Sequence, residues 1–384
     1  MKEIYLDHSA TTPIDPRVVE AMEPYLGACY GNPSSLHRKG VAARKGVQRA
    51  RETIAECIGV SPEEVIFTSG GTEADNLALQ GVARASRRRG RHIVTCVTEH
   101  PAVLESCRAL ENEGFEVTYL PVDETGAIDP DELAATIRKE TILVSLMHAN
   151  NEIGTIHPLE TLGPLIKERN PRTAFHVDAV QSFGREEIDL EAMQIDLISV
   201  TAHKLYGPKG IGALIRRKGV HLLPLIHGGG QEGGWRSGTE NVAGIVGFGR
   251  SVELVFAHRQ EEVAQMTALR DRAIARITAR IPQAHLNGPS PESGRRLCLN
   301  ASFAFPGARA EILLHALEEA GIYTSAGSAC AGGKISHVLT AIGLPEPLAK
   351  GTLRFSFGRS NTGGDIDVLV ETLARLIEEP RGEE

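Results

Sequence analysis

Short apolar runs alternate with longer amphipathic stretches from about residue 35 to residue 215. The longer stretches, such as VAARKGVQRARETIAECIG at 41–59, have the periodicity of helices. Seven apolar runs rich in β-branched residues lie between them: VIF (65–67), HIVTCV (92–97), EVTYL (116–120), TILVSLM (141–147), AFHV (174–177), DLISV (196–200) and IGALI (211–215). This alternation predicts βαβ units and a mostly parallel, seven-stranded sheet, an α/β fold that binds ligands beyond the carboxyl ends of its strands.

The pattern changes after residue 251. Apolar residues recur at roughly helical spacing among charges over 252–281, which predicts a long amphipathic helix that links two domains. Apolar segments at 297–305 and 352–358 and helical segments at 308–321 and 365–379 follow, as in a smaller α+β unit. We therefore predict a large domain over 15–255 and a small domain formed by 1–14 and 256–384.

Composition narrows the class of protein. The chain has 384 residues, 41% hydrophobic and 23% charged, which is typical of a globular protein. A net charge of −8 argues against a general nucleic-acid binder, so no direct nucleic-acid contact is expected. The start MKEIYLDHSATTP lacks the apolar run of a signal peptide, and no run of about 18 apolar residues predicts a membrane span. We expect a cytoplasmic protein with no membrane contact.

The cysteines and histidines do not have the spacing of metal ligands. No CxxC pair occurs among the six cysteines, and no HxxxH or HExxH pattern occurs among the 14 histidines. We therefore expect reduced thiols and no protein-bound metal.

The segment VIFTSGGTEADN at 65–76 passes from a predicted strand through Gly70 and Gly71 into a predicted helix. Thr72 and Asp75 have the spacing of a capping box. Glycines permit close backbone approach, and a helix N-terminus offers free N–H groups, so this segment is a candidate phosphate cradle. A plain turn from strand to helix remains the alternative.

Two further polar residues follow predicted strands. Asp178 comes directly after the run at 174–177, and Lys204 lies in SVTAHKLYGPKGIG at 199–212. A desolvated lysine can form a Schiff base, and pyridoxal phosphate (PLP) enzymes combine such a lysine with a carboxylate at the pyridine nitrogen. A phosphate cradle, an aspartate and a lysine in this order predict a PLP site, although any one of them alone could be a surface or turn residue.

Ten motifs carry a resemblance to a known family. They are YLDHSATTP (5–13), YGNPSSLH (30–37), TSGGTEADN (68–76), TEHPAVL (98–104), NNEIG (150–154), VDAVQSFG (177–184), HKLYGPKGIG (203–212), RSGTEN (236–241), GSAC (327–330) and LRFSFGR (353–359). In this order, collinear from residue 4 to about 360, they resemble the cysteine desulfurases of the NifS/IscS type. That family belongs to the fold-type I PLP enzymes, within the class V aminotransferase group.

The resemblance implies a role in cofactor binding for several residues. Lys204 matches the lysine that binds PLP, Asp178 the partner of the pyridine nitrogen, and Gln181 the residue bonded to the ring oxygen. His100 matches the histidine that stacks on the ring and transfers protons. The positions that match phosphate contacts are Gly71, Thr72, Thr201 and His203, with Thr239 supplied by the other subunit of a homodimer.

The resemblance also implies how the substrate, L-cysteine, is held and attacked. Asn151, which also contacts the cofactor, and Arg354 match the residues that bind the substrate carboxylate, and a guanidinium suits that task because its fork binds a carboxylate bidentately. Cys330, in TSAGSACAGG at 324–333, matches the nucleophile that becomes a persulfide. Its sulfur would pass to an iron–sulfur scaffold or a tRNA-thiolation relay.

The segment around Cys330 departs from the family pattern in length. Only AGGKIS lies between Cys330 and His337, about two residues fewer than in familiar NifS/IscS sequences. This raises the question of whether so short a segment can reach both the substrate and an acceptor.

Alternatives remain open at this point. Individually, His100 could cap a helix, Asn151 could be a turn residue and Arg354 could form a salt bridge. The chain could be a selenocysteine lyase or another class V aminotransferase, and the rival outside enzymes is an inactive scaffold or sulfur-relay subunit.

Overall fold

The computed structural model describes residues 3–326 and 335–378, and all statements about elements refer to these residues. The strands are β1 (Ile4–Tyr5), β2 (Val65–Thr68), β3 (His92–Cys96), β4 (Glu116–Leu120), β5 (Thr141–Met147), β6 (Ala174–Asp178), β7 (Leu197–Thr201), β8 (Gly212–Arg216), β9 (His285–Leu286), β10 (Asn300–Ala304), β11 (Ile322–Tyr323), β12 (Ser325–Ala326) and β13 (Thr352–Ser356). The helices are α1 (Pro16–Leu26), α2 (Arg38–Cys57), α3 (Gly71–Ser86), α4 (Pro101–Asn112), α5 (Pro130–Thr136), α6 (Leu159–Arg169), α7 (Val242–Arg280), α8 (Ala310–Glu319), α9 (His337–Ala341), α10 (Glu346–Ala349) and α11 (Gly363–Glu378).

Strands β2 to β8 form one seven-stranded sheet in the order β2-β8-β7-β6-β5-β3-β4. Only β8 runs antiparallel to its neighbours. Strands β5, β6 and β7 are buried along their whole length, as expected for the interior of a parallel sheet covered by helices. The predicted mostly parallel seven-stranded sheet is confirmed.

The second sheet is smaller and antiparallel, in the order β12-β13-β10-β9, and β1 pairs in parallel with β11 beside it. Its apolar side chains form a separate core with α8, α11 and the end of α7, in which Phe303, Phe355 and Leu369 are fully buried. The division into domains at residue 255 stays a prediction, which the presence of two cores supports.

Helix α7 contributes to both cores. Phe248 and Val252 pack in the core of the large sheet, whereas Ala273 and Ile277 pack in the core of the small sheet. The helix begins ten residues before the predicted start, where the sequence GIVGFG has no clear amphipathic period. Glycine is required there because a Cβ on Gly249 would lie 2.7 Å from the backbone of α2.

Among the helices of the described ranges, none is long and apolar enough to cross a membrane.

Candidate active site

The candidate site lies at the carboxyl edge of the large sheet. Strands β2, β3, β5, β6 and β7 all end at this edge because they run in the same direction. The turns that follow them carry the predicted residues, which lie far apart in the sequence and are brought together by the parallel topology.

One cavity of about 200 Å³ gathers most of these residues. Its lining contains Gly71, Thr72, Asp75, His100, Met147, Ala149, Asn151, Asp178, Val180, Gln181, Thr201, His203 and Lys204. Every predicted cofactor contact except Thr239 is therefore at one cavity. Thr239 is exposed on the single chain and does not line the cavity, and its predicted contact is one made to a second subunit.

Lys204 lies at the floor of this cavity with its amine turned toward the N-terminal segment. Its Nζ donates hydrogen bonds to the backbone oxygens of Ser9 and Ala10, the latter at 2.6 Å. Burial, helped by the nearby cations Arg354 and Arg185, lowers the pKa of Lys204 to about 7. A substantial fraction of the amine is thus neutral near pH 7, as a nucleophilic lysine requires.

Asp178 ends β6 and faces the same cavity. Its Oδ1 accepts a hydrogen bond from the Val180 N–H at 2.9 Å. Burial raises the pKa of Asp178, while His100, the Val180 N–H and Lys204 oppose the rise. A carboxylate in this position is stabilised by any cationic N–H group that enters the cavity.

Asp75 is a second buried carboxyl at the cavity, and its role differs from the predicted one. Helix α3 is capped at Gly70 without a side-chain bond, so the predicted capping box of Thr72 and Asp75 is wrong. Asp75 instead turns inward, where its carboxyl and the His176 ring both hydrogen-bond to the Ser199 side chain. Its side chain is short and buried beneath the first turn, where it cannot reach back to the helix start.

A chain of polar groups continues from Asp75 below the cavity floor. His176 bonds through Nδ1 to Ser145 at 2.8 Å and through Nε2 to Ser199 at 2.9 Å. Burial lowers the pKa of His176 to about 3, so the ring is neutral. Burial and the Asp178 charge raise the pKa of Asp75 well above its usual range.

The segment predicted as a phosphate cradle, at 70–72, lies where α3 begins at the cavity. Gly71 and Thr72 form the first turn of α3, whose N–H groups have no partner within the helix. A Cβ on Gly71 would lie 2.7 Å from Val180 Cγ2, so no other residue fits without displacement. Thr201 and His203 face the cavity from the end of β7.

His100 both lines the cavity and caps a helix. Its Nδ1 accepts a hydrogen bond from the Ala102 N–H at 3.1 Å, which places His100 at the N-cap of α4. The alternative of a capping histidine is therefore realised, and it fixes the orientation of the ring at the cavity. Desolvation lowers the pKa of His100, and Lys204 lowers it further, although Asp178 opposes both.

Gln181 shows an unsatisfied polar atom. Its Nε2 donates to the Ser9 carbonyl at 3.0 Å, but its Oε1 is buried without a hydrogen-bond partner in the described part of the chain. A buried acceptor of this kind calls for a donor from outside the chain, because an unpaired buried polar atom is costly.

Arg354 approaches the cavity from the small sheet, on β13. It donates through NH1 to the Asn151 carbonyl at 3.1 Å and through NH2 to Asp7 Oδ1 at 2.7 Å. The alternatives of a salt bridge for Arg354 and a turn position for Asn151 are therefore realised. Asn151 nevertheless lines the cavity with Arg354 next to it, and Arg354 Nε is buried without a hydrogen-bond partner among the described residues.

Some residues at the site were not predicted, and one predicted residue lies outside the structure. The Ser9 and Ala10 carbonyls and Asp7 belong to the motif YLDHSATTP, which carried the resemblance but no assigned role. Cys330 lies outside the described residues.

The sequence profile of the family described as aminotransferase class-V matches residues 4–369 of the chain. The chain belongs to the aminotransferase class-V family. Cysteine desulfurase IscS of Dictyoglomus turgidum is 48% identical over 382 residues, which cover 99% of this chain and 96% of the relative.

Solved structures of this family agree in fold. A structure titled NIFS-like protein has a TM-score of 0.92 and 40% identity, and the match covers 98% of this chain and 99% of that one. A structure titled SspA in complex with cysteine has a TM-score of 0.82 and 37% identity, over 94% of this chain and 100% of that one. The predicted resemblance to NifS/IscS-type cysteine desulfurases, the enzyme class and the fold-type I architecture are confirmed.

The cavity fits the PLP on which this class V family depends. Gln181 Oε1 lacks a donor within the described chain, Asp178 suits a cationic ring nitrogen, and Lys204 offers a partly neutral amine. The first turn of α3 offers N–H groups that suit an anion, and Gly71 at its start lines the cavity.

Proposed function

We propose that the chain is a PLP-dependent cysteine desulfurase that converts L-cysteine to L-alanine and collects the sulfur as a persulfide on Cys330. The observation that carries the proposal is the convergence of Lys204, Asp178, His100 and the α3 N-terminus on one cavity, with Arg354 beside it. The names of the relatives support the same activity, and one solved relative is a complex with cysteine.

When bound, PLP supplies an electron sink for the carbanion that forms at the substrate Cα. In our proposal Asp178 would hold the ring nitrogen protonated, and the side-chain amide of Gln181, whose Oε1 lacks a donor in the described chain, would hydrogen-bond the ring oxygen. The phosphate is held by Gly71, Thr72, Thr201 and His203. Thr239 of a second subunit completes the phosphate site, which implies a homodimer.

Lys204 acts twice in this scheme, first as the group that attaches the cofactor and then as the base that takes the proton from the substrate Cα. A pKa of about 7 suits both tasks, since a base is most effective when its pKa is near the working pH. His100, fixed by its bond to the Ala102 N–H, faces the cavity and moves protons at the substrate end.

Arg354 and Asn151 bind the substrate carboxylate. Arg354 already has its guanidinium held at two points, by the Asn151 carbonyl and by Asp7, so it is oriented before substrate enters. A carboxylate would join or replace Asp7 on the guanidinium fork.

Cys330 accepts the sulfur. Its thiolate attacks the substrate sulfur, an S–S bond forms, and the bond from sulfur to Cβ breaks. The bonding electron pair stays on Cβ, which is protonated to give alanine. The persulfide sulfur then passes to an acceptor, an iron–sulfur scaffold or a tRNA-thiolation relay, in the cytoplasm.

The experiment that tests this function measures products from L-cysteine. The PLP-loaded enzyme should release alanine and, with a thiol reductant, sulfide in equal amounts. Cys330→Ser should abolish both, whereas Cys29→Ser should not. Formation of a keto acid instead of alanine would identify an aminotransferase and contradict the proposal.

A further inference from the structure

Residues on both sides of segment 327–334 are tied to the candidate site. On the upstream side, Ser325 in β12 pairs with Arg354 in β13. Thr324 Oγ1 also donates to the Arg354 carbonyl. The last described residues before the segment therefore lie directly beside β13, the strand that carries Arg354.

On the downstream side, Ser336 makes the first of two bonds. Its hydroxyl donates to Glu152 Oε2 and accepts from the Val338 N–H at 3.0 Å, so that it caps α9. A serine hydroxyl has one proton and two lone pairs, so both bonds can exist together.

His337 makes the second bond. Its Nε2 lies 2.9 Å from the backbone oxygen of Glu99, which immediately precedes His100. A carbonyl can only accept, so Nε2 carries the proton in this contact. His337 therefore holds α9 against the start of α4, where His100 is capped.

The acceptors are themselves held firmly. The Glu152 N–H donates to Asn150 Oδ1 at 2.8 Å, and the Glu152 carbonyl accepts from Asn300 Nδ2 at 3.1 Å. The preceding carbonyl, that of Asn151, accepts from Arg354. The bonds of Ser336 and His337 thus end on Glu152 and Glu99. Glu152 directly follows Asn151, and Glu99 directly precedes His100, two residues that the proposed function assigns to the site.

We propose that Ser336 and His337 are positioning residues, which hold the downstream end of the segment carrying Cys330 against Glu152 and Glu99. Their pair of hydrogen bonds is called the α9 clasp below. The role given to the clasp rests on the proposed function, since it positions the thiol that accepts sulfur.

Chain length shows why such a clasp matters. Cys330 is four residues from Ala326 and six from Ser336 in the sequence, and four residues of chain span at most about 14 Å. The described residues on the two sides are held beside Arg354 and His100. In this proposal, release of the downstream side should lower the effective concentration of the thiol at the substrate.

The first test measures the opening of the clasp without any catalysis. Lys334 offers a trypsin site next to the clasp, and at low trypsin the cleavage rate follows the population of the opened state. In the PLP-loaded Cys330→Ser background, Ser336→Ala and Glu152→Ala should each speed cleavage after Lys334 by about tenfold, the factor that one lost hydrogen bond allows. Combining them should add little, because both remove the same bond.

Matched variants distinguish the clasp from general damage to α9. Thr340→Ala removes a bond within the same helix, from Thr340 Oγ1 to the Ser336 carbonyl, and should leave cleavage unchanged. Glu152→Gln keeps an acceptor oxygen and should restore slow cleavage. Val338 and Leu339 remain buried in all these variants, so α9 stays docked.

The second test uses rapid quenching and mass spectrometry to follow sulfur arriving on Cys330. Ser336→Ala should slow this step by about tenfold while cofactor absorbance and cysteine affinity stay unchanged.

Unchanged cleavage in both Ser336→Ala and Glu152→Ala would overturn the clasp. Faster cleavage with an unchanged sulfur-transfer rate would overturn its positioning role. A wild-type enzyme whose Cys330 gains no sulfur would contradict the proposed function instead, and the cleavage rates would still decide whether the clasp exists.

Discussion

The two sides of the candidate site are built in different ways. The floor is formed by the large sheet, where Asp178 ends β6 and Lys204 follows the adjacent strand β7. Asp178 accepts a hydrogen bond from the nearby Val180 N–H, and Lys204 donates one to the N-terminal segment. The wall belongs to the small sheet, where Arg354 comes from a strand of a separate core and reaches the floor through the Asn151 carbonyl.

This difference separates two tasks. In the proposed function the floor holds the groups that bind the cofactor, and its geometry is set by the order of parallel strands. The wall holds the group proposed to bind the substrate carboxylate, and its geometry depends on contact between two cores. Changes in the floor should therefore alter cofactor chemistry, and changes in the wall that keep the positive charge of Arg354 near Lys204 should alter mainly substrate binding.

The largest effect is expected from Lys204→Ala. The variant loses both cofactor attachment and the base at the substrate Cα, so activity should fall by about a thousandfold or more. Alanine production and the visible absorbance of the cofactor check this. Lys209→Ala, five residues along and exposed, is the matched control and should remain active. Comparable activity in the two variants would remove Lys204 from the floor chemistry.

Arg354→Lys tests the wall. Loss of the guanidinium fork should raise the KM for cysteine by roughly ten- to a hundredfold, as expected for lost hydrogen bonds to a charged group. Cofactor absorbance should not change, because Arg354 does not line the cavity. A loss of cofactor absorbance equal to that of Lys204→Ala would show that the two sides are not separate.

The pKa of Lys204 gives the floor a pH signature. Burial lowers this pKa to about 7, and only the neutral amine attacks the aldehyde of PLP. The rate at which the cofactor-free chain takes up PLP should therefore rise about tenfold from pH 6 to pH 8 and then level off. Stopped-flow absorbance measures this. A rate that keeps rising tenfold per unit through pH 9 would indicate an ordinary lysine.

The smallest effect is expected from Asp75→Asn. Two carboxyls at one buried cavity do not both ionise, and Asp178 has two basic side chains nearby, His100 and Lys204, which favour its ionised form. Asp75 is thus the neutral member, and its amide replacement should change activity by less than about threefold. Asp178→Asn should cost far more, about a hundredfold. Steady-state rates compare the pair, and equal losses would show that the charge is shared.

The sequence was sufficient for the floor because its signals are local. Buried parallel strands appear as continuous apolar runs. Asp178 stands directly after one of them, and Lys204 stands four positions after the end of another. Gly71 could be predicted for the same reason, since a turn into a helix beside a ligand favours glycine.

The remaining contacts could not be read from local patterns. The bonds from Lys204 to Ser9 and Ala10 join residues almost two hundred positions apart, and nothing in either segment specifies the pairing. The inward turn of Asp75 was missed because its spacing from Thr72 fits a capping box equally well. The start of α7 was predicted ten residues too late. The glycines there permit close helix packing, but they also interrupt the periodic apolar pattern by which a helix is recognised in the sequence.

The fate of the sulfur atom tests most directly whether Cys330 is the residue that accepts it. The PLP-loaded enzyme is mixed with one equivalent of L-cysteine and digested without reductant, and the peptides containing each of the six cysteines are weighed. The Cys330 peptide alone should gain the mass of one sulfur atom, in step with the alanine released. Alanine released in full with the sulfur on another cysteine, or on none, would contradict it.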